Sequence, residues 1–98
     1  MAYTAVVEKQ AVRKISNTLY SVSIKLTVND GTEDVFDCTA TARYNSNTPD
    51  LDNIKAGLVA ELKERWDKYA AENGVYSAAA FDTMVSEVQT LTNTYVNQ

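Results

Sequence analysis

The acidic side chains are the main residues of this 98-residue chain with acid–base potential, because it contains no histidine and one cysteine. Glu33, Asp34 and Asp37 lie near a turn signal, and Asp50 and Asp52 precede a long helical pattern. Paired carboxylates act as acid and base when burial or mutual repulsion separates their pKa values. We expect the first group to face solvent and the second to sit at a helix start. The sequence therefore predicts a protein that is not an enzyme and has no catalytic residues.

The sequence also has few residues suited to thiol, metal or phosphate chemistry. Cys38 has no histidine to activate it and falls on the apolar side of an alternating segment, which predicts a small buried hydrophobic residue. One thiol without imidazoles cannot build an ordinary zinc site. The oxygen-rich segment 29–34 lacks the ligand spacing of a calcium loop, and the glycines are too scattered for a phosphate loop. No metal and no cofactor are predicted.

The composition is that of one folded domain spanning residues 1–98, with 45% hydrophobic and 22% charged residues. The formal net charge of −4 provides too little basic density for non-specific binding to nucleic acid. No stretch approaches the roughly 18–20 apolar residues that cross a bilayer, and the first ten residues contain no apolar signal segment. We therefore expect a soluble protein with neither nucleic-acid nor membrane partners.

The first half of the chain alternates between apolar and polar residues, which predicts strands at about 3–14, 19–28 and 33–44. The pattern of the first strand slips in phase, which indicates a bulge or an edge position. The clearest alternation places five apolar residues on one side: Tyr20, Val22, Ile24, Leu26 and Val28.

The turn between the second and third strands determines their register. A three-residue Asn29–Gly31 loop with left-handed Gly31 pairs Ile24 with Phe36. Val22 then opposes Cys38, and Tyr20 opposes Ala40. This register collects the apolar residues on one face: Phe36, Cys38, Ala40, Ala42 and Tyr44. A two-residue turn would instead oppose Leu26 to Val35 and turn polar residues inward, so we predict the first register.

The second half recurs at helical spacing, which predicts helices at about 49–73 and 77–96. Thr48 and Ser77 are the predicted caps, and Gly74 suits a left-handed helix end. The first apolar stripe comprises Leu51, Ile54, Leu58, Leu62, Trp66 and Tyr69, and the second comprises Phe81, Met84, Val85, Val88, Leu91 and Tyr95. The fold class is α+β: a three-stranded antiparallel β-meander followed by two α-helices packed on one face of the sheet.

Several surface residues are candidates for contact with other molecules. The predicted interface residues come from the first strand, the helix–helix connection and the tail: Val6, Glu8, Gln10, Val12, Tyr76 and Tyr95. Five basic residues lie on the strands: Lys9, Arg13, Lys14, Lys25 and Arg43. They form either a patch for phosphate or solvated charges that protect a sheet edge, and the overall acidity favours the second interpretation.

Two segments, YSVSIKLTVNDGTEDVFD and ERWDKYAAENGVYSAAAFD, resemble small proteins encoded by tailed bacteriophages. The resemblance implies a structural or assembly protein of the virion head, neck or tail, found in the virion and the host cytoplasm. Its expected partners are further copies of itself or other virion proteins, reached through the edge strand Thr4–Val12 or a helical face. The alternative is a small acidic inhibitor that binds a host protein through its helical half. A third, less favoured hypothesis is a phosphate-contacting module on the exposed strand face.

Overall fold

The computed structural model describes residues 3–74 and 78–96. Its elements are β1 (Thr4–Lys14), β2 (Leu19–Asn29), β3 (Asp34–Asn45), α1 (Leu51–Asn73) and α2 (Ala78–Tyr95). The strands form one antiparallel sheet in the order β1-β2-β3, with α1 packed along β3 and α2 along β1. The predicted α+β architecture, a meander followed by two helices, is confirmed.

The core lies between the helices and one face of the sheet, centred on β2. Alternate β2 residues are buried beneath the helices, as the period-2 pattern predicts. The α1 seam follows the predicted spacing of four: Ile54, Leu58, Leu62 and Trp66. Full burial of a side chain such as Leu58 removes enough apolar surface to contribute about 1.5–3 kcal/mol. This core therefore fixes which face of the sheet remains uncovered.

The buried seam of α2 differs in part from the predicted stripe. Met84 and Val88 are buried as predicted, whereas Phe81, Val85 and Leu91 are only partly buried. The seam is completed by Ala80 and Thr92. The Thr92 hydroxyl donates to the Val88 carbonyl oxygen at 2.8 Å, so this polar side chain is satisfied within its own helix.

The β3 residues that face the helices are the predicted ones, but the register between β2 and β3 differs from the prediction. Residues Phe36 to Tyr44 present their even-numbered side chains toward the helices, as predicted. The predicted pairing itself is wrong by four residues: Leu26 opposes Cys38, Ile24 opposes Ala40, Val22 opposes Ala42 and Tyr20 opposes Tyr44. A shift of four residues leaves every side chain on its predicted face, because strand side chains alternate with a period of two and four is an even number.

A longer turn explains the new register. Asp30 donates its backbone N–H to the Glu33 carbonyl at 3.0 Å, so the loop extends to Glu33 rather than ending at Gly31. The Asp30 carboxylate fixes this loop by accepting the amides of Thr32 and Glu33 at 2.8 and 2.9 Å. Gly31 has the predicted positive φ, at 99°. A register shift after the turn then leaves Val35 without an opposing residue.

The edge strand β1 contains the predicted irregularity. Lys9 opposes Ile24 and Ala11 opposes Ser23, so Gln10 is an extra residue that forms a bulge. The bulge changes which residues point toward the helices. Before it, Val7 is buried under α2, and after it, Val12 packs against the core.

The start of α1 differs slightly from the prediction, and its end is confirmed. Asp50, rather than Thr48, is the N-cap, and its carboxylate accepts the Asn53 amide at 3.2 Å. Thr48 belongs to the preceding turn, where its amide donates to the Asn45 side chain at 3.3 Å. Gly74 ends α1 at a φ of 66°, and its N–H donates to the Ala70 carbonyl. The predicted cap Ser77 lies outside the described residues.

Candidate protein-binding surface

The helices cover one face of the sheet and leave the opposite face, here called the outer face, open within the described part of the chain. The pairing of the three strands arranges its side chains in rows that cross β1, β2 and β3 in turn. The four central rows are Arg13–Ser21–Arg43, Ala11–Ser23–Thr41, Glu8–Lys25–Thr39 and Val6–Thr27–Asp37.

Small hydroxyl-bearing side chains form the centre of the outer face. The Ser23 and Thr41 hydroxyls share a hydrogen bond of 2.9 Å across β2 and β3. They line a shallow depression of about 360 Å³, together with Gln10, Ala11, Arg13, Ser21 and Thr39. Ser21 is only 8% exposed, although it lies on the open face, because an arginine stands beside it on each neighbouring strand. The backbone here therefore lies close to the surface between longer flanking side chains.

The two ends of the outer face differ in charge. Arg13 and Arg43 form one end, and neither has an ion-pair partner within residues 3–74 and 78–96. Asp37 lies three rows away on β3, where its carboxylate is 3.8 Å from the Lys25 ammonium. Glu8 is exposed on β1 between these two rows. The surface therefore has a basic end and a mixed, acid-containing end.

At each edge of the sheet, one backbone amide donates to a carboxylate that a helix supplies. Glu87 of α2 accepts the backbone N–H of Val7 in β1 at 3.1 Å. Glu61 of α1 accepts the backbone N–H of Thr41 in β3 at 3.3 Å, and its other oxygen lies 3.4 Å from Arg65. A strand that paired with either edge would have to displace a carboxylate at that amide.

The predicted interface residues fall in different environments. Val6, 46% exposed, and Glu8 lie on the outer face, and Gln10 is the bulged residue at the rim of the depression. Val12 and Tyr95 lie on the helix side, where they line a cavity of about 220 Å³. The Lys9 ammonium lies over the Tyr95 ring, 4.7 Å from its centroid. Tyr76 lies outside the described residues.

Sequence reasoning did not select the hydroxyl residues at the centre of the outer face. These residues form the polar side of two alternating strands, a pattern typical of an ordinary solvent-exposed face: Ser21, Ser23, Thr39 and Thr41. Their small size was a signal that could have identified them, because a strand face that only contacts solvent also accommodates long charged side chains. Of the strand cations, Arg13, Lys25 and Arg43 share the outer face, whereas Lys9 and Lys14 point toward the helix side.

Cys38 lies on the helix side of β3, half-buried in an open groove of about 250 Å³ beside α1. The prediction of a buried residue on the apolar face is correct for the face and only partly correct for the burial. Desolvation raises the pKa of the thiol to about 11, so it is protonated at neutral pH. Phe36 and Tyr69 stack in this groove with their ring centroids 4.8 Å apart.

Several carboxylates in the described residues have structural roles. Asp30 organises the β2–β3 turn, whose amides lower the pKa of its carboxyl. Asp50 caps α1, and Glu61 and Glu87 each accept a backbone amide at a sheet edge.

Within residues 3–74 and 78–96, no three His, Cys, Asp or Glu side chains are grouped to hold a metal ion. None of the described helices has the length and apolar character needed to cross a membrane.

These observations place the most distinctive surface chemistry of the chain on the outer face rather than in a pocket. Comparison with known proteins adds no relative to this description. The sequence matches no family model, and neither the curated proteins nor the solved structures contain a significant match.

Proposed function

We propose that this chain is a non-enzymatic structural or assembly protein that contacts other protein subunits through the outer face of its sheet. The observation that carries the proposal is the centre of small side chains, including Ser21, Ser23 and Thr41, between longer flanking residues. Long flexible side chains lose up to about 2 kcal/mol of rotamer entropy on burial, whereas small ones lose far less. A partner can therefore cover this centre at low entropic cost.

The outer face is a better candidate than the sheet edges. Addition of a strand along Thr4–Val12 requires free backbone amides at the edge of β1. Glu87 already accepts the Val7 amide there, and Glu61 does the same for Thr41 on β3. These contacts favour a face-directed interaction over the edge-directed interaction that the sequence suggested.

The finer proposal is that the assembly is a tailed-bacteriophage virion, with this chain in the head, neck or tail. The support is the resemblance of the two sequence segments to small phage proteins. Mass spectrometry of purified virions from the source of the chain tests this point. We expect the chain at a fixed copy number per particle, and its absence from intact particles would overturn the virion assignment.

An acidic inhibitor of a host protein is the second candidate, because residues 47–98 contain eight acidic and four basic side chains. Two of those basic residues are already paired on α1, Lys63 with Asp67 and Arg65 with Glu61. These ion pairs occupy two of the carboxylates of the helical half, Asp67 and Glu61, so fewer remain free for a host protein to contact, and the structural role is the stronger proposal.

Substitution at the centre of the outer face tests the proposed function. Ser23→Trp fills the depression, and Glu64→Trp places the same side chain on the exposed side of α1 as a matched control. Each variant is produced in the native host, and its recovery in large assemblies is measured by sedimentation, with circular dichroism to confirm folding. We expect the wild type and Glu64→Trp in assemblies and Ser23→Trp in the free pool. Equal incorporation of all three, or a wild type found only as free chain, would contradict the proposal.

A further inference from the structure

The charges of the outer face are arranged so that the face complements itself when reversed. Arg43 and Asp37 lie six residues apart on β3, about 20 Å along the strand. The Asp37 side chain remains 64% exposed despite its contact with Lys25, so it is accessible to a second cation. On β1, Arg13 and Glu8 repeat the same order of signs.

We propose that the outer face binds the outer face of a second copy of this chain, with the strands of the two sheets running in opposite directions. This inference names the partner in the proposed function and rests on it. A two-fold axis that crosses the strands between Thr39 and Thr41 places Arg43 of each copy over Asp37 of the other. It also places Arg13 over Val6 and beside Glu8 of the other copy. The aliphatic part of Arg13 then covers the exposed Val6 side chain.

Charge selects this orientation over the other two-fold arrangement. An axis parallel to the strands would stack the row Arg13–Ser21–Arg43 on itself and bring four guanidinium groups together. Like charges placed opposite each other disfavour such a contact. The reversed arrangement instead repeats each Arg–carboxylate contact twice, because a two-fold interface uses the same surface on both copies.

The dimensions of the sheet indicate a weak dimer. The 11 residues of β1 give a face about 36 Å long, and three strands give a width of about 14 Å. The buried area is then about 500 Å² per copy, which just reaches the roughly 1,000 Å² in total that a specific interface needs. We therefore expect a dimer that dissociates on dilution and weakens with salt, because its ion pairs lie near the rim.

Charge reversal in the purified full chain, followed by sedimentation equilibrium, tests this arrangement. Arg43→Asp and Asp37→Arg each replace two attractive contacts with two repulsive ones, so each is expected to raise the dimer Kd about tenfold. The double variant restores both contacts and is expected to return to within about threefold of the wild type. Lys68→Asp and Glu64→Arg make the same charge changes on α1 and are expected to leave the Kd unchanged.

The outcomes of this experiment test the proposed dimer separately from the proposed function. A wild-type chain that stays monomeric at about 1 mM would overturn the dimer, since its Kd would exceed the millimolar range. A dimer that ignores the single reversals would place the contact elsewhere on the molecule. If the purified chain is monomeric while Ser23→Trp still loses its place in native assemblies, the proposed function stands and a different subunit covers the outer face.

Discussion

Removal of the Glu87 carboxylate is expected to weaken the attachment of α2 to β1. In Glu87→Ala the Val7 amide loses an acceptor that lies 80 residues away in sequence. Hydrogen bonds to charged groups contribute about 1.5–3 kcal/mol, and the partial burial of this one places it near the lower end. We expect a loss of about 1–2 kcal/mol, which corresponds to a fall in Tm of roughly 5–10 °C for a domain of this size.

Urea denaturation and amide hydrogen exchange measure this prediction. Glu64→Ala is the matched control, since Glu64 is exposed on α1 and makes no hydrogen bond or ion pair with the other described residues. It is expected to change stability by less than about 0.5 kcal/mol. Exchange of the Val7 amide should accelerate in Glu87→Ala far more than exchange of the neighbouring β1 amides that pair with β2. Equal stabilities for the two variants, with unchanged Val7 exchange, would refute the role assigned to Glu87.

Three further predictions concern the core, a helix end and the thiol. Leu58→Ala removes a side chain with 0% exposure and is expected to cost about 3–4 kcal/mol in urea denaturation, whereas a cost below about 1 kcal/mol would contradict its place in the core. Gly74→Ala forces a side chain into positive φ and is expected to cost about 1 kcal/mol by the same assay. Folding raises the pKa of Cys38 from 9.0 to about 11, so the thiol ionises first in the unfolded chain. Stability should therefore fall as pH rises from 9 to 11, and Cys38→Ala should remove that part of the fall.

The strand faces were predictable from the sequence, and the register was not. Alternation alone assigns Ile24 and Ala40 to the same face of the sheet, because the period is a property of each strand. Their direct pairing depends on the turn, where Asp30 holds a loop that continues to Glu33. The Asn–Asp–Gly signal gives the place of the turn without giving its length. The bulge at Gln10 was detectable because it leaves a phase slip in the apolar pattern.

The helices and the outer face show the same limit. The α1 seam follows from spacing, but burial of Thr92 depends on a hydrogen bond within α2 that hydrophobicity does not register. The row Arg13–Ser21–Arg43 brings together residues from three strands, so it exists only once both registers are known. The contacts of Glu61 and Glu87 with the sheet edges are equally non-local, since each joins a helix residue to a distant strand amide.

The two edge carboxylates also bear on how large an association of these sheets can become. Lateral pairing of strands leaves a fresh edge after each addition, so it has no natural end and leads to ribbons and fibres. Glu61 and Glu87 interrupt that route at one amide on each side. A two-fold contact through the outer face buries that face on both chains, so no outer face remains free to bind a third chain. Association through the outer face, as proposed above, would therefore give closed complexes of fixed size rather than open-ended growth.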